Sequence, residues 1–449
     1  MKTELHSWHG VRVFLAGGAG FFLAAFRAVA QAAGAGGESG PATNPPAWLN
    51  FSAPPQLSWG AFDFHPHLRT LTVYDDNINF VATGRQMDVI NQISPGLQVV
   101  GGDRSTLRTY ADQDYLWNVD RGYSLNLSRL STSALIIQPP ENWPDKFLVL
   151  DYSPQWQFFS HYTGNNSLDQ FATANAEWPI AKLVVGFRQD YSDQHTVLVE
   201  AARRTEIQQN QTELNAGYQF SDTLSLDTAG QFQAVAYPEN SAFMGYTEWK
   251  GNLSLNRQII HDYYVSLVAA GGLDEVTDRQ NQQFEQLGGR LRYDYSTLFS
   301  VDVAGGAEYR QFDSGRSASV KPYFTLGATY SPSERTRIRL LFARQQSPSL
   351  YNGYYDTTTG GSLSVRQNLT DRFMIQADLN YDQTAYERTT QQAGTTNPSD
   401  FYSLQFTGMV QLLKSLNAEV FYMFRGQGLS QSYSVLQDNQ CGVKFALHF

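Results

Sequence analysis

Cys441-Gly442-Val443-Lys444-Phe445-Ala446-Leu447-His448-Phe449 alternates apolar and polar side chains. Successive side chains of an extended strand point to opposite sides, so a period of two means one apolar face and one polar face. Cys441, Val443, Phe445, Leu447 and Phe449 share the first face; Gly442, Lys444, Ala446 and His448 share the second. The same pattern recurs upstream. Leu214, Ala216, Tyr218 and Phe220 alternate with Glu213, Asn215, Gly217 and Gln219. Leu291, Tyr293 and Tyr295 oppose Arg290, Arg292 and Asp294; Val301 and Val303 oppose Asp302. Ile338, Leu340 and Phe342 oppose Arg337 and Arg339, and Phe373, Ile375, Ala377 and Leu379 oppose Gln376, Asp378 and Asn380.

The connections between these units alternate in length. Tight turns are expected near Ser221, Ile260, Ser296, Ser333, Thr370 and Ser415. Between them come polar stretches expected to be longer loops: Ser192–Gln211, Glu275–Gln282, Ser347–Thr359, Tyr386–Ser399 and Gly426–Ser432. Short turns at one end and long loops at the other predict an all-β fold, a transmembrane up-and-down antiparallel β-barrel with periplasmic turns and extracellular loops. A soluble sandwich or propeller gives no reason for this asymmetry. Membrane strands of about 9–11 residues plus their turns fit roughly 16 to 18 times into Ala61–Phe449.

Composition agrees with strands rather than helices crossing lipid. The chain is 42% hydrophobic yet has no apolar run of the length that a membrane helix needs, as expected when lipid-facing and lumen-facing residues interleave. Aromatic residues make up 14%, enough to supply girdles at both interfaces. The net charge of −10 excludes nucleic acid as a partner class, which requires a basic stripe. A single cysteine, Cys441, excludes an intramolecular disulfide and a thiolate metal cluster; the alternation places it on the lipid face.

The chain's two ends fit the same destination. An aromatic terminus on an amphipathic strand resembles the last strand of bacterial outer-membrane barrels, which implies that Phe449, Leu447 and Phe445 form the signal read by the barrel assembly machinery. Lys2 and Arg12 precede an apolar stretch from Val13 to Phe26, followed by Ala28-Val29-Ala30-Gln31, the pattern of a signal peptide over 1–30 cleaved after Ala30. The Ala/Gly/Pro-rich residues 31–60 read as a flexible periplasmic segment, too short for the plug domain of an energised transporter. The barrel then occupies 61–449. Within it, Gly101–Lys146 is too long for a periplasmic turn and reads as an insertion: an added hairpin, a short helix or a segment in the lumen.

Three local strings narrow the family: Leu71-Thr72-Val73-Tyr74-Asp75-Asp76-Asn77-Ile78, Ile93-Ser94-Pro95-Gly96-Leu97 and Leu150-Asp151-Tyr152-Ser153-Pro154. They resemble the opening hairpins of the beta-barrel porin 2 family, outer-membrane barrels of Gram-negative bacteria, several associated with exopolysaccharide or exosortase systems. The likeness is sharpest over Leu71–Phe171 and continues to Phe449 as pattern. The stretch before Asn142 departs from it, being longer than expected between the second and third strands. The resemblance implies an outer-membrane barrel and, for cargo, a saccharide. Read physically, Asp75-Asp76-Asn77 is the top of a strand turning into an outer loop, with a calcium site on these carboxylates as the lesser alternative. Pro95 and Pro154 predict bulges or strand ends, because proline donates nothing to the ladder.

Residues that carry chemistry are sparse. No histidine pair has metal-ligand spacing of the H-E-x-x-H kind, and there is no G-x-S-x-G or nucleotide-binding loop. His65 and His67 flank Pro66 on one face, but two imidazoles alone make a poor metal site. No catalytic residue, cofactor or metal is therefore assigned. What recurs is charge on the polar face: Arg290, Arg292, Arg337, Arg339 and Arg366, with Asp294, Asp302, Asp378, Asp382 and Glu419. One reading is an interior whose charges satisfy each other; the other is an arginine arc that concentrates anions. The expected function is a porin-like channel for hydrophilic solutes, with a plugged structural or surface-interaction barrel and an outer-membrane enzyme as alternatives. Sequence leaves the oligomeric state and the strand number open.

Overall fold

The computed structural model describes residues 57–102, 146–198, 203–239, 243–276, 281–295, 298–313, 317–351, 353–389, 399–413, 415–429 and 432–448. Residues 1–30, expected from sequence to be a signal peptide, most of the segment 31–60, the interior of Gly101–Lys146 and Phe449 lie outside them. The strands are β1 (Leu57–Trp59), β2 (Phe62–Asp75), β3 (Asp88–Gly102), β4 (Phe147–Phe159), β5 (Ser167–Ile180), β6 (Leu183–Leu198), β7 (Arg203–Ser221), β8 (Leu224–Ala236), β9 (Tyr246–Ile260) and β10 (Tyr263–Val276). They continue as β11 (Gln282–Tyr295), β12 (Phe299–Phe312), β13 (Ser319–Ser333), β14 (Thr336–Pro348), β15 (Tyr354–Asn368), β16 (Phe373–Arg388), β17 (Ser399–Leu413), β18 (Leu416–Leu429) and β19 (Ser432–His448). From β2 to β19 each strand pairs antiparallel with the next, and β19 closes the ring on β2, from Gln440↔Asp75 to His448↔His67. The result is a closed barrel of 18 strands, with β1 as a short addition to the foot of β2.

Alternation decides which side chains leave the wall. Leu287, Leu291 and Tyr295 of β11, Leu340 and Phe342 of β14, Leu379 of β16 and Phe445 of β19 are exposed on the outside. Lys444 and Ala446, one residue off Phe445, are buried inside. Aromatic side chains gather outside near the tight turns, where Tyr263 stacks on Tyr293 at 4.3 Å and Tyr218 meets Phe220 edge-on at 5.0 Å. Such a band belongs at a lipid interface.

Glycine pairs set how closely the wall can fold. Gly288 and Gly306 face each other across β11 and β12. A Cβ on Gly306 would lie 2.1 Å from the Leu287 carbonyl oxygen, and one on Gly288 would lie 2.4 Å from both the Gly305 oxygen and the Tyr323 hydroxyl. Close packing of the two strands here requires both glycines. The prolines behave otherwise than expected. The β3–β4 register is unshifted on either side, yet it breaks between Ile93↔Trp156 and Leu97↔Tyr152, the interval holding Pro95 and Pro154. Neither proline makes a bulge or ends a strand; both strands run on through a stretch of ladder without rungs.

The tight turns fall as expected, but three of the five long loops do not. Ser192–Gln211 is largely strand, since β6 and β7 pair from Leu183↔Tyr218 up to Leu198↔Arg203. Gly426–Ser432 is mostly β18 running to Leu429, and Ser347–Thr359 keeps only residues 349–353 outside strands. Polarity marked the height at which the wall leaves the apolar band, where backbone pairing continues. Strands accordingly run to 19 residues in β7, beyond the length a bilayer needs.

Candidate functional site

The inward face of β11 to β16 holds the arginines singled out by the sequence. Arg290 Nε donates to both carboxylate oxygens of Asp302, at 2.9 and 2.8 Å, and Arg292 Nε donates to Asp294 at 2.7 Å. These two are matched by their own wall. Arg337 of β14 stands directly opposite Arg366 of β15, and Arg339 opposite Ser364, which pairs in turn with Asp378 of β16. Residues paired this way have Cβ atoms about 5 Å apart, so two guanidinium groups rise from neighbouring points on the wall. Arg337 and Arg339 are exposed, and Asp378 is engaged by Gln376 Nε2 at 3.0 and 2.9 Å.

Towards the long-loop end, charge is buried instead. Arg310 donates to Asp274 at 2.6 Å, to Gln282 at 2.8 Å and to Glu308 at 2.8 Å, with its guanidinium 4.9 Å from the Phe284 ring centre. Its side chain is 1% exposed. Arg425 is likewise buried, donating to Asp438 at 2.5 Å, and Lys321 pairs with Glu387.

Two loops then lie across the mouth. In residues 76–87, the Asn77 side chain bonds the carbonyls of Val81 at 2.9 Å and Gln437 at 2.8 Å, tying the loop to β19. Phe80, at a φ of 52°, is fully buried against Val197 of β6, Phe401 of β17 and Leu436 of β19. The Arg425 guanidinium lies 5.5 Å from its ring. From the opposite wall, Leu350 between β14 and β15 packs against Leu198, Ile207, Val235 and Tyr237, and its carbonyl accepts the Met244 N–H at 2.8 Å. Neither crossing was read from sequence, although Ile78, Phe80 and Val81 put apolar residues into this loop.

Three further groups concern possible chemistry. His67 Nε2 lies 3.0 Å from Ser153 Oγ, and that hydroxyl donates to Asp151 at 2.8 Å. The proton of Ser153 is thus directed at the carboxylate and not at the imidazole, the reverse of an activated serine. His65 is exposed, whereas His67 is buried. Asp75, Asp76 and Asp438 bring carboxylate oxygens within 4.8 Å of one another, closing the Asp75-Asp76-Asn77 string onto β19. Asn77 N–H bonds Asp75 at 2.8 Å, Asn439 Nδ2 bonds Asp76 at 2.7 Å, and burial pushes the Asp76 carboxyl above its ordinary range. The third group, His195, Glu206 and Glu239, also converges within 4.8 Å and was not assembled from sequence.

No family model and no curated protein sequence matches this chain. Among solved structures, it is similar to OpdQ of Pseudomonas aeruginosa, with 8% identity, a TM-score of 0.43, and coverage of 87% of this chain and 99% of that one. It is similar to OccAB3 of Acinetobacter baumannii, with 10% identity, a TM-score of 0.39 and coverage of 86% and 99%. It is also similar to OmpT, an outer membrane protein of Vibrio cholerae, with a loop deletion, at 10% identity, a TM-score of 0.36 and coverage of 86% and 99%.

Proposed function

We propose that this chain is a porin-like channel of the bacterial outer membrane, passing hydrophilic solutes through the barrel lumen. The observation that carries the reading is the ring of 18 strands with an apolar outer band and a polar inner face. A barrel of that size leaves an aqueous passage unless its lumen is filled. Gln376, Asn380 and Gln405 line it with hydrogen-bonding groups, and each bonds a neighbouring inward side chain. Arg337, Arg339 and Arg366 are neighbours on this inner face and supply an anion-attracting arc, on the same face as Arg290 and Arg292, which bond Asp302 and Asp294. The family resemblance implies an association with exopolysaccharide export, so an acidic saccharide is the cargo class to test first. No catalytic step is assigned to the chain.

The second reading, a plugged structural barrel, is favoured by the two loops lying across the mouth. One experiment separates them. Purified protein in a planar bilayer should give discrete conducting steps, and replacing both Ile78 and Phe80 with Ser should raise the conductance of each step. A bilayer that stays silent with both the native chain and this variant would remove the channel reading.

A further inference from the structure

We propose that His195, Glu206 and Glu239 form a binding site for a divalent transition-metal cation, Zn2+ being the natural probe, at the long-loop rim. The three ligand atoms lie within 4.8 Å of one another and come from three separate segments: β6, β7 and the loop after β8. His195 and Glu206 are direct cross-strand partners. They sit where the β6–β7 hairpin rises above the wall, since β6 pairs with β5 only as far as Gln170↔Asp193, and β7 with β8 only as far as Gln208↔Ala236.

The imidazole is prepared as a ligand. Its Nδ1 lies 3.2 Å from Asp169 Oδ1, which also accepts the His195 backbone N–H at 3.1 Å. An Nδ1–H donated to this buried carboxylate fixes the tautomer and leaves the Nε2 lone pair on the side of Glu239. This is the arrangement by which outer carboxylates orient metal-binding histidines. Asp169 is itself fully buried and held by Gln157, whose Oε1 accepts Arg204 Nη2 at 2.8 Å. Three residues, Asp169, Gln157 and Arg204, thus hold one ring in place.

The glutamates complete the set. Glu239 Oε1 stands 3.9 Å from His195 Nε2, too far for a hydrogen bond. Two ligands of one tetrahedral Zn2+, at about 2.0–2.2 Å from the ion, stand about 3.4 Å apart, so a cation draws the pair together by about half an ångström. Gln208 Nε2 holds Glu206 at 2.9 Å and reaches Asp193 at 3.4 Å, adding a third carboxylate beside the site. One imidazole with two carboxylates suits Zn2+, Ni2+ or Cu2+ better than Ca2+ or Mg2+, which prefer oxygen alone. The bound ion would add a polar clamp between the β6–β7 tip and the β8–β9 loop, beside the apolar contacts of Leu198 and Ile207 with Tyr237, whether or not the lumen conducts.

Calorimetric titration of the full barrel in detergent with Zn2+ is the test, with heat-modifiable gel migration confirming that each variant is folded. One Zn2+ per chain is expected. Glu239→Gln and His195→Gln should each weaken binding at least tenfold, and Asp169→Asn by about 10–100-fold as a positioning residue. Asp76→Asn, in the separate acidic group, should leave it unchanged. Absence of Zn2+ binding to the native barrel overturns the proposal. So does an affinity unmoved by Glu239→Gln, a change in an exposed loop that keeps the fold.

Discussion

Arg310 and Arg337 stand at opposite ends of the same stretch of wall, and they live by different physics. Arg310, near the long loops, is 1% exposed and touches Asp274, Glu308 and Gln282. Arg337, near the tight turns, is exposed and faces another arginine across the ladder. A buried guanidinium needs its carboxylates, because removing one partner strands an uncompensated charge. An exposed one keeps its hydration and is free to act on what passes. Along this stretch the long-loop end uses charge to hold structure, whereas Arg337 presents its charge to solvent; around the ring, Lys444 and Glu419 are a buried pair even beside a tight turn.

The sharpest way to break that contrast is Arg310→Met. It leaves Asp274 and Glu308 buried without their cation and should cost about 3–5 kcal/mol, read as a fall in the denaturant midpoint of the folded barrel. Adding Asp274→Asn and Glu308→Gln should recover part of the loss; no recovery would mean that the arginine acts by packing alone. Next in size is the outside of the same wall. Leu340→Arg should cost about 2–4 kcal/mol near the bilayer midplane. Gln376→Arg, on the inner face beside Asp378, should stay within about 0.5 kcal/mol. Equal losses would overturn the assignment of faces. Smallest in stability is the double change of Arg337 and Arg339 to Gln. The midpoint should hold within about 0.5 kcal/mol, while the reversal potential in a salt gradient moves towards cation preference. A large loss of stability there would put Arg337 in the same class as Arg310.

Much of this was legible because the alternation is strict. Leu340 outside and Arg339 inside follow from neighbouring positions in one strand, and the tight turns at Ser221 and Ser333 follow from where alternation stops. What could not be read was which residue of one strand faces which of the next. The pairing of Arg337 with Arg366, or of His195 with Glu206, depends on counting rungs out from a turn. Reading Ser192–Gln211 as loop removed the rungs on which His195 meets Glu206, so three ligand side chains in three segments stayed scattered. Phe80 was missed for a related reason. A lone aromatic in a loop carries no period, and its partners Val197 and Phe401 lie far off in the chain.

The missing rungs around Pro95 and Pro154 bear on the order in which the barrel is made. Most neighbouring strands are joined by tight turns or short loops, so their ladders zip from one nucleus. β3 and β4 are joined only through residues 103–146, a far longer stretch of chain than a tight turn, so sequence proximity helps their pairing least. Their ladder then stalls halfway, because neither proline has an amide proton to give. Two half-ladders must start separately. The continuous sheet from β4 to β19 can therefore form first, with the β2–β3 hairpin sealing both remaining edges in a late step. The seam of this barrel is then two strands wide, and the prolines mark its slower side.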